Sequence, residues 1–177
     1  MQILGETIRQ FYLQLFAYCL MDNHFHLFVQ TPRANLDRAM QNLQGQYAHY
    51  LNLRYSRVGS LFQGRYKSPL VTKGDYSIVL TRYIHQNPMK AGLIRRCDDY
   101  TWSSYPCYSG KLPKWEWLET EWILAQFNLN RNLALQLFEE FHYQEPSDSE
   151  KKILNQIEHI FGRTKRGLTP FKLRFGG

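Results

Sequence analysis

The chain has 177 residues, 44% of them hydrophobic and 15% aromatic, with a net charge of +7. That is enough apolar material for one core with an appendage, which excludes a disordered chain. Three cysteines without CxxC spacing exclude a disulfide framework and a zinc ribbon, and no apolar run reaches the 18 residues of a membrane span.

In chain order, residues 5–14 predict the start of a short helix. Residues 15–22 and 24–31 read as two strands, with Asp22-Asn23 as the turn between them and Pro32 closing the second. Side chains two apart on a strand share a face. His24 and His26 therefore project side by side while Phe25 points into the core behind. Two adjacent imidazoles are a ready pair of ligands for a divalent ion. Residues 34–55 carry a helical pattern through Leu36, Met40, Leu43, Tyr47, Tyr50, Leu51 and Arg54, with Asn35 as N-cap. Gly45 inside it marks close backbone approach or nothing at all.

Residues 60–72 read as a loop and an extended strand. A helix over 75–87 follows, with Asp75 as N-cap and Pro88 forcing its end. On it, Tyr83 and Asn87 are four apart and share a face, whereas His85 points elsewhere. Residues 97–113 form a loop carrying Trp102, Tyr105 and Tyr108. Helices follow at about 117–128, 131–142 and 148–161, with the tryptophans packing this helical part on the sheet. His49, His142 and His159 carry no pattern that points to a role. The element order predicts an α+β fold with an antiparallel sheet and packed helices.

Charge is unevenly spread. Residues 33–96 hold eleven Lys/Arg against Asp37 and Asp75, residues 97–161 hold five against eleven acids, and residues 162–177 hold five against none. So basic a middle segment suits a polyanion such as nucleic acid. Arg54, Arg57, Arg65, Lys67, Arg82 and Lys90 are the candidate phosphate contacts, and Phe62 and Tyr66 alternate with basic residues as a base-stacking platform would.

His24, His26 and Asn87 together offer two imidazoles and one amide oxygen, with positions left open for a phosphate. With Tyr83 beside them the expected chemistry is phosphoryl transfer to a tyrosine. The segments His24-Phe25-His26 and Tyr83-Ile84-His85-Gln86-Asn87-Pro88-Met89-Lys90-Ala91-Gly92 resemble the single-tyrosine HUH transposases. Within them, Leu20-Met21-Asp22-Asn23-His24, Gly64-Arg65-Tyr66-Lys67-Ser68 and Trp102-Ser103-Ser104-Tyr105 resemble the REP-associated tyrosine transposases.

The resemblance covers residues 15–125 and implies a ferredoxin/RRM-like core. It implies Mg²⁺ or Mn²⁺ on His24, His26 and Asn87, with Tyr83 as nucleophile. It further implies cleavage of single-stranded or hairpin DNA near repetitive extragenic palindromes through a 5′-phosphotyrosine. Relatives begin with an extra strand that this chain lacks, so the edge of the strand carrying His24 and His26 is expected to be open. The alternative is accordingly a truncated, inactive relative that grips hairpin DNA without cutting it. The expected organisation is a catalytic domain over 1–112, a helical extension over 113–161 and a basic, flexible tail over 162–177. The chain is expected to work in the cytoplasm, off the membrane, as a monomer or homodimer.

Overall fold

The computed structural model describes residues 1–71 and 74–162; the basic tail anticipated over 162–177 lies, from residue 163 on, outside the described residues. Helix α1 (Gln2–Phe11) leads into strands β1 (Gln14–Leu20) and β2 (Phe25–Gln30), helix α2 (Leu36–Arg54) and helix α3 (Asp75–Lys90). A 3₁₀ turn (Cys97–Asp99) precedes the short helices α4 (Tyr105–Tyr108) and α5 (Glu121–Leu124), and α6 (Arg131–Tyr143) and α7 (Asp148–Gly162) follow. The architecture is α+β with an antiparallel sheet, packed helices and a C-terminal helical part, as the sequence predicts. Among the described residues the sheet has two strands, and no third strand pairs with β2.

The helix α1 ends in a reciprocal cap. Tyr12 takes a left-handed conformation (φ 54°), its N–H donates to Arg9 O, and the Leu13 N–H reaches back to Ile8 O at 3.0 Å. These are the two bonds that close a helix before a change of direction. The sharp exit feeds Gln14 straight into β1.

The β1–β2 register decides which side chains meet the site. Leu15 lies opposite Val29, Tyr18 opposite Leu27 and Leu20 opposite Phe25, whereas Ala17 lies opposite Phe28 and Cys19 opposite His26, with an irregularity at Phe16. The first set faces α1 and α2, packing on Leu4, Ile8, Ala39, Met40 and Leu43. The second faces α3 and the later helices, packing on Val79, Leu80, Tyr83, Ile84, Tyr105, Tyr108 and Phe138. Residues Leu15–Cys19 are consequently buried throughout, as a strand covered on both faces must be. The free edge of β1 is taken by two loops: Leu20 N–H donates to Trp102 O (2.9 Å), Ser104 N–H to Tyr18 O (2.9 Å) and Glu119 N–H to Leu15 O (2.8 Å).

Several expected boundaries move, each for a physical reason. The helix expected at 117–128 shrinks to α5 because Leu118 and Glu119 are drawn onto the β1 edge. Glu119 Oε1 then accepts the N–H groups of Glu121 (2.8 Å) and Trp122 (3.2 Å), starting the helix late. The loop at 97–113 contains the 3₁₀ turn and α4, and its Tyr105 and Tyr108 are buried while Trp102 is exposed. No strand forms over 60–71, where Pro69 lacks a donor and the β1 edge is already occupied. Helix α3 starts behind Gly74 (φ 86°) and runs through Pro88 to Lys90. Proline costs one bond there, but Ala91 N–H still reaches Asn87 O (3.0 Å) and Leu93 N–H reaches Pro88 O (2.9 Å), so the last turn survives. Nothing packs within 4 Å of where a Gly45 Cβ would sit, so that glycine serves no close approach.

Candidate active site

The turn before β2 and the first residues of the strand set the imidazoles. His26 faces α3 and is nearly buried (8% exposed), while Phe25 turns the other way and meets Phe62 edge-on at 6.3 Å. His24 stands beside His26 with ring centroids 4.9 Å apart and planes perpendicular. The His24 Nδ1–H donates to Asn23 Oδ1 at 2.6 Å. That bond holds the proton on Nδ1 and leaves the Nε2 lone pair free, the form in which imidazole binds a metal. His26 Nε2 is buried with no hydrogen-bond partner among the described residues. Burial lowers both histidines' pKa. His26 is pushed down to about 4 by burial and by His24, with Asn87 opposing, so it is neutral at pH 7.

From α3, Tyr83 comes up against this pair. Its ring lies 5.7 Å from His26 at 82°, and it is only 7% exposed. One turn on, Asn87 Nδ2 donates to Tyr83 O at 2.8 Å. The amide nitrogen being committed, Oδ1 is left to accept or to ligate. Burial and the carboxylate of Glu158 raise the Tyr83 pKa, partly offset by Asn87. The helix thus brings Tyr83 and Asn87 to the imidazole pair, and His85 points away from it, as the spacing predicts.

The residues fit a divalent ion. They supply an orphaned buried nitrogen, a second imidazole with a fixed tautomer and an amide oxygen, a donor set suited to a hard or borderline cation with open positions. Among the described residues no group of three or more His, Cys, Asp or Glu side chains could hold a metal, so a third protein ligand here would be the Asn87 amide.

Sequence reasoning missed the far wall of this site. Phe161, from the last turn of α7, stacks on Tyr83 (6.0 Å, 17°) and meets His26 edge-on at 5.3 Å. Lys90 Nζ sits 4.9 Å above the Tyr83 ring and pairs with Glu158 at 2.8 Å. Helix α7 therefore covers the tyrosine. A 3-residue spacing between Glu158 and Phe161 puts both on one face of α7, but nothing in the sequence says which surface that face meets.

The candidate phosphate contacts separate. Arg54, Arg65, Lys67 and Lys90 are exposed and Arg57 is half-buried. Arg82 is turned inward at 4% exposure: its guanidinium lies 5.1 Å over the Phe141 ring and Nη2 donates to Gln144 O. It is a tether to α6 rather than a surface cation. All three cysteines are free and buried.

Paired imidazoles on a strand, faced by a tyrosine and an amide from one helix, define a site suited to metal-assisted phosphoryl transfer. Residues 1–87 match the family described as transposase IS200 like, which supports a transposase relationship and a DNA-processing role for the part of the chain that carries His24, His26, Tyr83 and Asn87. No curated protein and no solved structure matches the chain. No helix among the described residues is long and apolar enough to cross a membrane.

Proposed function

We propose that this chain is a metal-dependent single-stranded DNA endonuclease and strand transferase of the REP-associated, single-tyrosine HUH type. It would act beside palindromic hairpins, in the cytoplasm, as a monomer or homodimer. The observation that carries the reading is the meeting of Tyr83 with His26, with Asn87 alongside, inside the segment similar to IS200-like transposases.

Tyr83 Oη gives up its proton and attacks the scissile phosphorus, the bond from phosphorus to the 3′ oxygen breaks, and that oxygen takes up a proton to leave as a 3′-hydroxyl, so no net proton is gained or lost. The 5′ side stays on the tyrosine as a phosphodiester whose energy is kept for rejoining. Mg²⁺ or Mn²⁺ on His24, His26 and Asn87 would polarise the scissile phosphate and stabilise the leaving oxygen. The protein's part is orientation: α3 aims the phenol and β2 aims the imidazoles. Arg54, Arg57, Arg65, Lys67 and Lys90 offer positive charge to the DNA backbone.

The test is a labelled single-stranded hairpin oligonucleotide incubated with Mn²⁺ and resolved on a denaturing gel. A covalent protein–DNA band that is lost in Tyr83→Phe is the expected result. Hairpin binding without any adduct in the wild type refutes catalysis. It selects the second reading, a hairpin-binding relative that does not cut, which the coverage of Tyr83 by Phe161 favours.

A further inference from the structure

His85 lies across α3 from Tyr83 and Asn87, and the proposed chemistry does not use it. Yet it is fully buried, as is His142. His85 Nε2 is 2.7 Å from Ser104 Oγ, and His85 Nδ1 is 3.1 Å from His142 Nε2. His142 Nδ1 is 2.8 Å from Phe138 O, and the Tyr18 N–H donates to Ser104 Oγ at 2.9 Å.

With both imidazoles neutral, one arrangement of protons satisfies this series. A carbonyl accepts and never donates, so His142 carries its proton on Nδ1 and accepts at Nε2. His85 therefore donates from Nδ1 and accepts at Nε2, and the Ser104 hydroxyl donates to it at 2.7 Å in preference to its longer contact with Tyr18 O at 3.3 Å. Every group then has a partner, as buried polar groups require. Burial depresses the basicity of both imidazoles, which keeps them in the neutral form the series needs.

The series is anchored at one end on β1, through Tyr18, and at the other on α6, through Phe138. Helix α3 is held between them. Tyr18 adjoins Cys19, which lies opposite His26 in the strand pair. Two further bonds grip the same side of α3: Gln86 Nε2 donates to His142 O (2.5 Å), and Arg82 Nη2 donates to Gln144 O. Apolar packing is non-directional, whereas these bonds fix the rotation of α3 about its axis. A rotation of about 10° moves a side-chain atom at the roughly 6 Å outer radius of a helix by about 1 Å. Misplacement by 1 Å can cost a reaction on the order of 100-fold.

We infer that His85 is a positioning residue. The Tyr18–Ser104–His85–His142–Phe138 relay fixes the setting of α3 at which Tyr83 and Asn87 face His24 and His26. This rests on the functional reading above. It also gives a role to Ser104 of the Trp102-Ser103-Ser104-Tyr105 segment and to the histidine that follows the tyrosine.

The test compares wild type with His85→Ala, His85→Gln and Ser104→Ala. Each is checked for folding by circular dichroism and for hairpin affinity by anisotropy without metal. Co²⁺ titrations read ligand geometry from the visible spectrum without DNA, and single-turnover adduct formation in Mn²⁺ reads the reaction. Long-range ¹⁵N spectra of labelled histidine read the tautomers. Both buried imidazoles should show Nδ1–H. His85→Ala should slow adduct formation about 100-fold, weaken and shift the Co²⁺ bands, and leave hairpin affinity within about 2-fold.

His85→Gln, which offers one donor and one acceptor, should recover at least tenfold of the lost rate. Should His85→Ala not fold, Ser104→Ala carries the test, with an expected loss of roughly tenfold from one relay bond. Folded His85→Ala or Ser104→Ala protein with wild-type rate and Co²⁺ spectrum overturns the positioning role and leaves the nuclease reading standing. So does an Nε2–H tautomer, or a glutamine variant no better than alanine. Wild-type protein that takes neither Co²⁺ nor a covalent adduct overturns the nuclease reading first, and the positioning role with it.

Discussion

Replacing His142 by glutamine should remove that residue's share of the acid sensitivity without removing a hydrogen bond. His142 is fully buried, and its pKa falls from 6.5 to about 3. Burial dominates; the Phe138 carbonyl and Asp98 oppose the shift, and Arg82 adds to it. His85 faces the same ring from α3. The unfolded chain takes up a proton on this residue below pH 6.5, while the folded chain resists until about pH 3. Stability is therefore unaffected above pH 6.5 and is lost as pH falls through that window. The loss runs at about 1.4 kcal/mol per pH unit, so at pH 5 it reaches about 2 kcal/mol from this one residue. Glutamine can accept from His85 and donate to Phe138 O but does not titrate. Urea denaturation at pH 7 and pH 5 gives the measurement. Wild type should lose about 2 kcal/mol more than His142→Gln between the two. Equal losses would show that His142 ionises freely in the folded protein, and the burial argument would fail.

Other expectations follow from the same geometry. Phe161→Ala removes the ring stacked on Tyr83 and should raise both the adduct-forming rate and the nitration of Tyr83 mapped by mass spectrometry; an unchanged nitration level would mean α7 does not restrict the phenol. Hairpin binding should weaken steeply with salt. Changing Arg54, Arg57, Arg65 and Lys67 together to Gln should reduce the log–log slope by about 3, at roughly 0.7 per phosphate on single strands, and an unaltered slope would place the DNA elsewhere. Gly5→Ala puts a Cβ 2.4 Å from Trp117 Nε1. Despite alanine's better helix propensity it should cost about 1–3 kcal/mol, read as a lower thermal midpoint; an unchanged midpoint would mean the indole moves aside freely.

What the sequence made legible was local. Alternation along β2 separates His26 from Phe25, and the four-residue step on α3 aligns Tyr83 with Asn87. What it hid was set by contacts between distant segments. Arg82 reads as a surface cation until Gln144 and Phe141 arrive beside it. Leu118 and Glu119 look helical because their pairing with Leu15 lies a hundred residues away. His142 has no neighbour in sequence that hints at His85. Pro88 looks like a stop because its lost bond is visible in the sequence, while the bonds made by Ala91 and Leu93 are not.

The core behind α3 has one more consequence. Val79, Leu80, Tyr83 and Ile84 share that core with Tyr105, Tyr108, Ile123, Phe138 and Ile157. The stretch that matches the transposase IS200 like family and the set of residues that seat α3 are therefore different. A gene fragment ending soon after Asn87 would keep His24, His26, Tyr83 and Asn87 and still leave the tyrosine helix with one wall of its seat missing.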